Sequence, residues 1–179
     1  MEVHSAHVPE TRAGPLTVWA SSEGVRHIEF GPLPAGHHAD PPERFTKTLT
    51  EAVRQLREYL SGARTGFDLP LDLAGVTTDF QRRVYERLRT VGYGQVTSYG
   101  HLADALGGPE LARAVGRAVG ANPLPIVIPC HRVVGSEGRL TGFGGGLPAK
   151  VALLRLEGID VDGDRPSSRV RRDVIPLDL

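Results

Sequence analysis

A cysteine, a histidine and an arginine stand in a row in Pro129-Cys130-His131-Arg132-Val133-Val134, the only point in the 179-residue chain where a thiol meets a base. Cys130 is the sole cysteine, which excludes an internal disulfide and any zinc site built on two or more thiolates. The chemistry on offer is attack by sulfur: neighbouring cations and hydrogen-bond donors lower a thiol pKa, and the thiolate is the nucleophile. A lone buried cysteine is most often a small apolar residue, so the reading depends on its surroundings. Pro123, Pro125 and Pro129 exclude a helix interior over residues 122–134 and predict an extended chain. Adjacent side chains of an extended chain point to opposite sides, so Cys130 and His131 are expected to communicate through a water. A base used in this way needs an orienting partner. Glu157, at the end of the next amphipathic segment, is the candidate, although a glutamate ending a helix is otherwise an ordinary solvated residue. Downstream of the motif, Thr141-Gly142-Phe143-Gly144-Gly145-Gly146 lacks the Lys-Ser/Thr of a phosphate-binding loop. It reads as backbone that comes close to a flat ligand.

The elements that must position these groups can be read from local pattern. Leu16–Ala20 and Val25–Phe30 are short alternating runs joined by Ser21-Ser22-Glu23-Gly24, a hairpin signal. Phe45, Leu49, Val53, Leu56 and Leu60 recur at helical spacing, with Gly62 placed to end the helix, and residues 67–73 alternate again as a returning strand. Thr78 or Asp79 caps a helix through Phe80, Val84 and Leu88. Ser98 caps the next, from Tyr99 to Leu106, which Gly107-Gly108 closes, and Pro109 takes the first position of a third. Two short helices around a glycine-bearing turn read as a helix-turn-helix. On the third helix Arg113 and Arg117 lie side by side among Ala112, Gly116 and Gly120. Each interior glycine costs about 1 kcal/mol against alanine, and either close approach of a foreign surface or tight packing within the protein would offset that.

Composition bounds the partners. The chain is formally neutral, with 21 basic and 21 acidic residues. A clear basic excess exists only in residues 80–120, which hold 6 arginines against 3 acidic residues. Arginine suits phosphate and base edges, so nucleic-acid contact, if made, is local. No apolar run reaches the length of a membrane span, and Met1 to Glu10 lacks the basic start and apolar run of a secretory leader. A reduced cytoplasmic location is the expectation. His37 and His38, adjacent in a Pro- and Gly-rich stretch without carboxylate or thiol spacing, read as exposed, and no metal site is expected.

The motif, preceded by Asn122-Pro123 and followed by Gly144-Gly145-Gly146, resembles the signature of the O6-alkylguanine-DNA alkyltransferases. The likeness runs through Ser98-Tyr99 and Ala112-Arg113-Ala114-Val115-Gly116 to Lys150 and Glu157, covering residues 80–157. It implies a mixed α/β (α+β) fold: a small ribonuclease-H-like α/β lobe over residues 1–77, and a mostly helical lobe with a winged-type helix-turn-helix over 78–159. Residues 160–179 form a tail beyond the likeness, whose Arg169, Arg171 and Arg172 read as a solvated run.

The resemblance also implies an activity, direct-reversal DNA repair. Cys130 would take the alkyl group from O6-alkylguanine, and from O4-alkylthymine, in duplex DNA, once and irreversibly, after base flipping through the minor groove. His131 would deprotonate Cys130 through a water, Glu157 would orient His131, and Asn122 would brace the turn before the motif. Tyr99, Val133, Gly144, Gly145 and Lys150 would bind the base. Arg113 would replace it in the stack, and Tyr99, Gln81, Ala112, Gly116 and Ser136 would contact DNA. No cofactor or metal is implied, and the protein would be a monomer, with cooperative assembly on DNA left open. Tyr85, Phe143 and Gly144 stand where relatives carry tryptophan, tyrosine and, in some cases, serine. The same helices could serve a sequence-reading transcription factor, and the same thiol a cysteine hydrolase; the first would prefer one DNA sequence, the second would turn over.

Overall fold

The computed structural model describes residues 2–32 and 43–171, with the backbone alone for 43–45. His37, His38 and Arg172 lie outside the described residues.

The N-terminal lobe is a three-stranded antiparallel sheet, β1 (His4–Val8), β2 (Leu16–Ala20) and β3 (Val25–Phe30), in that order. The β2–β3 hairpin forms where the alternation indicates, with Ser21 N–H bonded to the Gly24 carbonyl at 2.9 Å. β1 has no such alternation; it becomes a strand by pairing along β2, His4 opposite Ala20 and Val8 opposite Leu16. Helix α1 (Glu43–Ser61) lays Leu49, Ala52, Leu56, Tyr59 and Leu60, spaced three and four apart, into the core against this sheet. The strand expected over residues 67–73 does not form: only Leu71 bridges Val25, in parallel. Pro70 offers a carbonyl to Val25 N–H (2.8 Å) but has no N–H to extend a ladder. It crosses so close to Gly24 (φ 153°) that a Cβ there would sit 2.4 Å from the Pro70 oxygen.

The C-terminal lobe begins with α2 (Asp79–Thr90), whose N-cap is Thr78, its hydroxyl accepting from Gln81 N–H. Helix α3 (Tyr99–Leu106) is capped by Ser98 through His101 N–H. Gly107 (φ 136°) and Gly108 (φ 151°) then reverse the chain. Pro109 does not begin the next helix directly. It opens a 3₁₀ turn (Pro109–Leu111), closed by Leu111 N–H on the Gly108 carbonyl, and α4 (Ala112–Gly120) follows. Helix α4 packs on α2 and α3, burying Val115, Ala118 and Val119. β4 (Thr97–Ser98) runs parallel to β5 (Val133–Val134), and α5 (Gly146–Leu156) closes the lobe.

Two buried clusters result. The larger spans both lobes, from Leu16 and Leu56 to Leu88, Val115 and Val133. The smaller joins Val96, Val134, Leu140 and Leu154 to Ile159, Val161 and Val170. The segment after residue 159 is therefore docked as far as 171: Leu140 N–H bonds the Ser168 carbonyl (2.8 Å) and Val170 N–H the Gly138 carbonyl (2.9 Å). Arg169 and Arg171 nonetheless keep their side chains largely in solvent, as the sequence suggests, with surface ion pairs to Glu137 at 3.0 Å and to Asp160 at 3.9 Å.

Candidate active site

The segment bearing Cys130 is not extended. The chain folds back at Pro125, where Ile126 takes a φ of 77°, and Cys130–Arg132 form one turn of 3₁₀ helix. Proline forbids a long helix here but tolerates a tight turn at its N-terminus, and Arg132 N–H bonds the Pro129 carbonyl at 3.0 Å. Asn122 holds the reversal from both ends: its Nδ2 donates to the Ile128 carbonyl (2.8 Å) and its Oδ1 accepts from Leu124 N–H (3.0 Å).

His131 and Glu157 are both wholly buried, and His131 Nε2 lies 2.6 Å from Glu157 Oε1. The carboxylate is saturated with donors. Arg132 Nε reaches Oε2 at 2.9 Å and Oε1 at 3.1 Å, its Nη2 reaches Oε1 at 3.1 Å, Gly94 N–H donates to Oε2 at 2.9 Å, and the Tyr59 hydroxyl donates to Oε1. Burial alone would raise the Glu157 pKa, but the His131 and Arg132 contacts prevail and hold it well below the usual carboxylate range. Burial lowers the pKa of His131 more than Glu157 raises it, so the imidazole rests neutral. A neutral ring facing a carboxylate through Nε2 carries its proton there. Nδ1 is then a bare lone pair, and it has no hydrogen-bond partner within the protein. Glu157 thus makes His131 a base at Nδ1.

Burial raises the pKa of Cys130, with the Asn122 amide and the Lys150 charge opposing it. This reverses the expectation of a thiol acidified by adjacent cations: the guanidinium of Arg132 is spent on Glu157, and desolvation dominates. Cys130 therefore rests as a thiol and needs a base to become a nucleophile.

The thiol side of the turn is open. Cys130 lies in a cleft of about 500 Å³ whose wall includes Tyr99, Gly116, Gly120, Asn122, Phe143 and Gly144, within the range of about 300–1,000 Å³ typical of small-molecule sites. Tight internal packing does not account for the glycines of α4: a Cβ at Gly116 would meet only Tyr99 of α3, at 4.0 Å, and one at Gly120 nothing. Arg113, one turn earlier on the same stripe, is exposed, as is Arg117. Tyr99 is fixed by a 3.1 Å hydrogen bond between its hydroxyl and that of Thr141, and burial pushes its pKa up, so it stays a donor. Phe143 stands edge-on to Phe30, with ring centres 5.2 Å apart, which brings the N-terminal lobe to the cleft wall.

Residues 79–159 match the family model described as the DNA binding domain of 6-O-methylguanine DNA methyltransferase, and residues 6–73 match its ribonuclease-like domain. The chain belongs to the 6-O-methylguanine DNA methyltransferase family. A methylated-DNA–protein-cysteine methyltransferase of Mycobacterium tuberculosis is 47% identical over 148 residues, covering 80% of this chain and 86% of that one. Its namesake in Methanosarcina acetivorans is 37% identical over 152 residues, covering 83% and 95%. The crystal structure of the Mycobacterium tuberculosis protein OGT in complex with DNA superposes with a TM-score of 0.73 at 42% identity, covering 86% of this chain and 92% of that one.

Several residues that the family resemblance implies for base or DNA binding lie outside the cleft wall. Lys150 stands behind the wall: buried, it donates to the Val133 carbonyl (2.6 Å) and to Thr141, and burial pulls its pKa down to about 8. Val133 is buried too, so its carbonyl is already an acceptor. Gly145 lies under Phe30, where a Cβ would fall 2.6 Å from the ring. Ala112 is half-buried beside Arg113, Ser136 is exposed in a turn beyond β5, and Gln81 borders a separate cavity shared with Trp19 and Arg26. Two contributors carry no signal in the sequence: Gly94 acts through its N–H, and Tyr59 sits in the apolar stripe of α1, one residue from Leu60. Arg132, expected to act on Cys130, acts on Glu157 instead. Tyr85 is buried in the core and donates to the Ala118 carbonyl at 3.0 Å.

Proposed function

We propose that this chain repairs DNA by direct reversal: Cys130 takes the alkyl group from O6 of guanine in duplex DNA and keeps it as a thioether. The observation behind this reading is the buried Glu157–His131 pair, with Nδ1 unpartnered, next to a neutral thiol on an open cleft. His131 Nδ1 accepts the Cys130 proton by way of a water, and the resulting imidazolium is stabilised by Glu157. The thiolate attacks the alkyl carbon, the S–C bond forms as the C–O6 bond breaks, and the electron pair passes to the purine oxygen. Tyr99 donates a hydrogen bond to that oxygen, aided by the Gly144 N–H, and the guanine anion takes up one proton, the equivalent of the one His131 removed from Cys130, so that the imidazole is again neutral and ordinary guanine is left in the strand. No group at the site can cleave a thioether, so each chain acts once. O4-alkylthymine presents the same exocyclic C–O bond to the same attack.

The target atom lies inside the duplex, so the nucleotide must be turned out into the cleft. The stripe Arg113, Gly116, Gly120 suits entry by the minor groove: small residues allow close approach, and Arg113 fills the gap left in the stack. Gln81, Ala112, Gly116 and Ser136 contact backbone and sugar, which fits a protein that must accept any sequence. The protein acts as a monomer without cofactor. Among the described residues no helix is long and apolar enough to cross a membrane, and a free thiol suits the reducing cytoplasm.

The test is direct. Incubation with a duplex containing O6-methylguanine should add one methyl mass to the peptide bearing Cys130, and Cys130→Ala should bind the same duplex and gain nothing. An unmodified Cys130 peptide after complete incubation overturns the assignment.

A further inference from the structure

We propose that Tyr59 of the N-terminal lobe is a positioning residue of the proton relay, its hydroxyl occupying a lone pair of the same Glu157 oxygen that holds His131. The inference rests on the reading of Cys130 as an alkyl acceptor. Tyr59 is fully buried, and its hydroxyl donates to Glu157 Oε1 while lying 3.4 Å from His131 Nε2. Because Nε2 already points its proton at Oε1, the phenol has one useful direction, toward the carboxylate. Its ring is clamped by Phe67 (centres 5.0 Å apart) and Tyr93 (5.9 Å), so the hydroxyl cannot swing away. Burial, and after it the charge of Glu157, push the Tyr59 pKa far above that of an ordinary tyrosine, so it remains a donor at every working pH.

The consequence is a division of charge. Glu157 Oε1 is shared among His131, Tyr59 and Arg132. Each donor withdraws part of the negative charge that would otherwise stabilise the imidazolium. The other charged and titratable groups facing the pair are Arg132 on the same turn, Lys150 on α5, the Cys130 thiol, and the phenol of Tyr93, which is engaged by the Leu156 carbonyl at 2.8 Å. Among the donors on Oε1, Tyr59 is the one supplied by the N-terminal lobe, so α1 tempers the basicity of a histidine 72 residues away in sequence.

Benzyl transfer from free O6-benzylguanine, followed by intact mass across pH, separates this role from a packing role. Tyr59→Phe keeps the ring and removes the donor. With more of Oε1 left to His131, the acidic limb of the rate profile should move up by about half a pH unit or more. Replacing Tyr59 with 3,5-difluorotyrosine, a stronger donor of nearly the same shape, should move that limb down. If Tyr59→Phe does not fold, the fluorinated protein alone decides. A limb that stays in place while the rate changes evenly at all pH overturns the proposal and leaves Tyr59 as packing. If the wild-type chain takes up no benzyl group, the alkyl-acceptor reading itself has failed, and with it this inference.

Discussion

The two sides of the Cys130–Arg132 turn are built on opposite plans. Behind it, His131, Arg132, Glu157, Tyr59 and Gly94 form a sealed network in which the carboxylate is fully engaged. In front, the thiol meets glycine backbone, an aromatic wall and empty volume. Orienting a base needs groups held at fixed distances, whereas an incoming nucleobase needs room and little to displace. The contrast teaches that the rigid side bears the stability and the tautomer, and that the open side bears recognition.

Three substitutions would break or sharpen that contrast. The largest effect belongs to Glu157→Gln. The amide can donate to Nε2, which moves the imidazole proton to Nδ1 and removes the base, and Arg132 is left buried without a counter-charge. Benzyl transfer should slow by about 10²–10⁴-fold, and urea unfolding should show a loss of about 3–5 kcal/mol. A rate within twofold of wild type and an unchanged unfolding free energy would show that Glu157 neither sets the tautomer nor anchors the sealed side. Next is Arg113→Ala, on the open side. It should leave stability and reaction with free O6-benzylguanine unchanged but slow repair in duplex by about tenfold, equivalent to about 1.4 kcal/mol of the unstacking cost. Equal losses on both substrates would remove the finger role. The smallest is Gly116→Ala. Restoring helix propensity should stabilise the fold by up to about 1 kcal/mol, while duplex repair slows because a methyl now stands in the path of the DNA. A destabilised protein would show that the glycine serves internal packing after all.

The parts of the site legible in the sequence were those whose signals are local. Thr78 and Ser98 announce helix starts, Asn122 braces a turn a few residues away, and the row of Cys130 and His131 needs no tertiary information. Glu157 was findable as the end of an apolar-periodic segment, but its burial was not, because the donors that surround it come from residues 59, 94, 131 and 132. β1 was invisible because His4-Ser5-Ala6-His7-Val8 has no alternation of its own and becomes a strand only beside β2. The extended reading of residues 122–134 failed because proline restricts the chain without choosing between an extended path and a tight turn. The thiol pKa went the other way because sequence shows Arg132 beside Cys130 but not that its charge is committed to Glu157, 25 residues on.

The docked segment at 160–171 bears on where this lobe could be cut. Val161 and Val170 complete the smaller apolar cluster, and Gly138 passes so near Val170 that a methyl group on it would collide at 2.9 Å. A truncation at residue 159 would keep every residue of the reactive turn and its carboxylate, yet strip the cover from Val96, Val134 and Leu140. The shortest piece able to hold the reactive turn in place therefore runs about a dozen residues past Glu157.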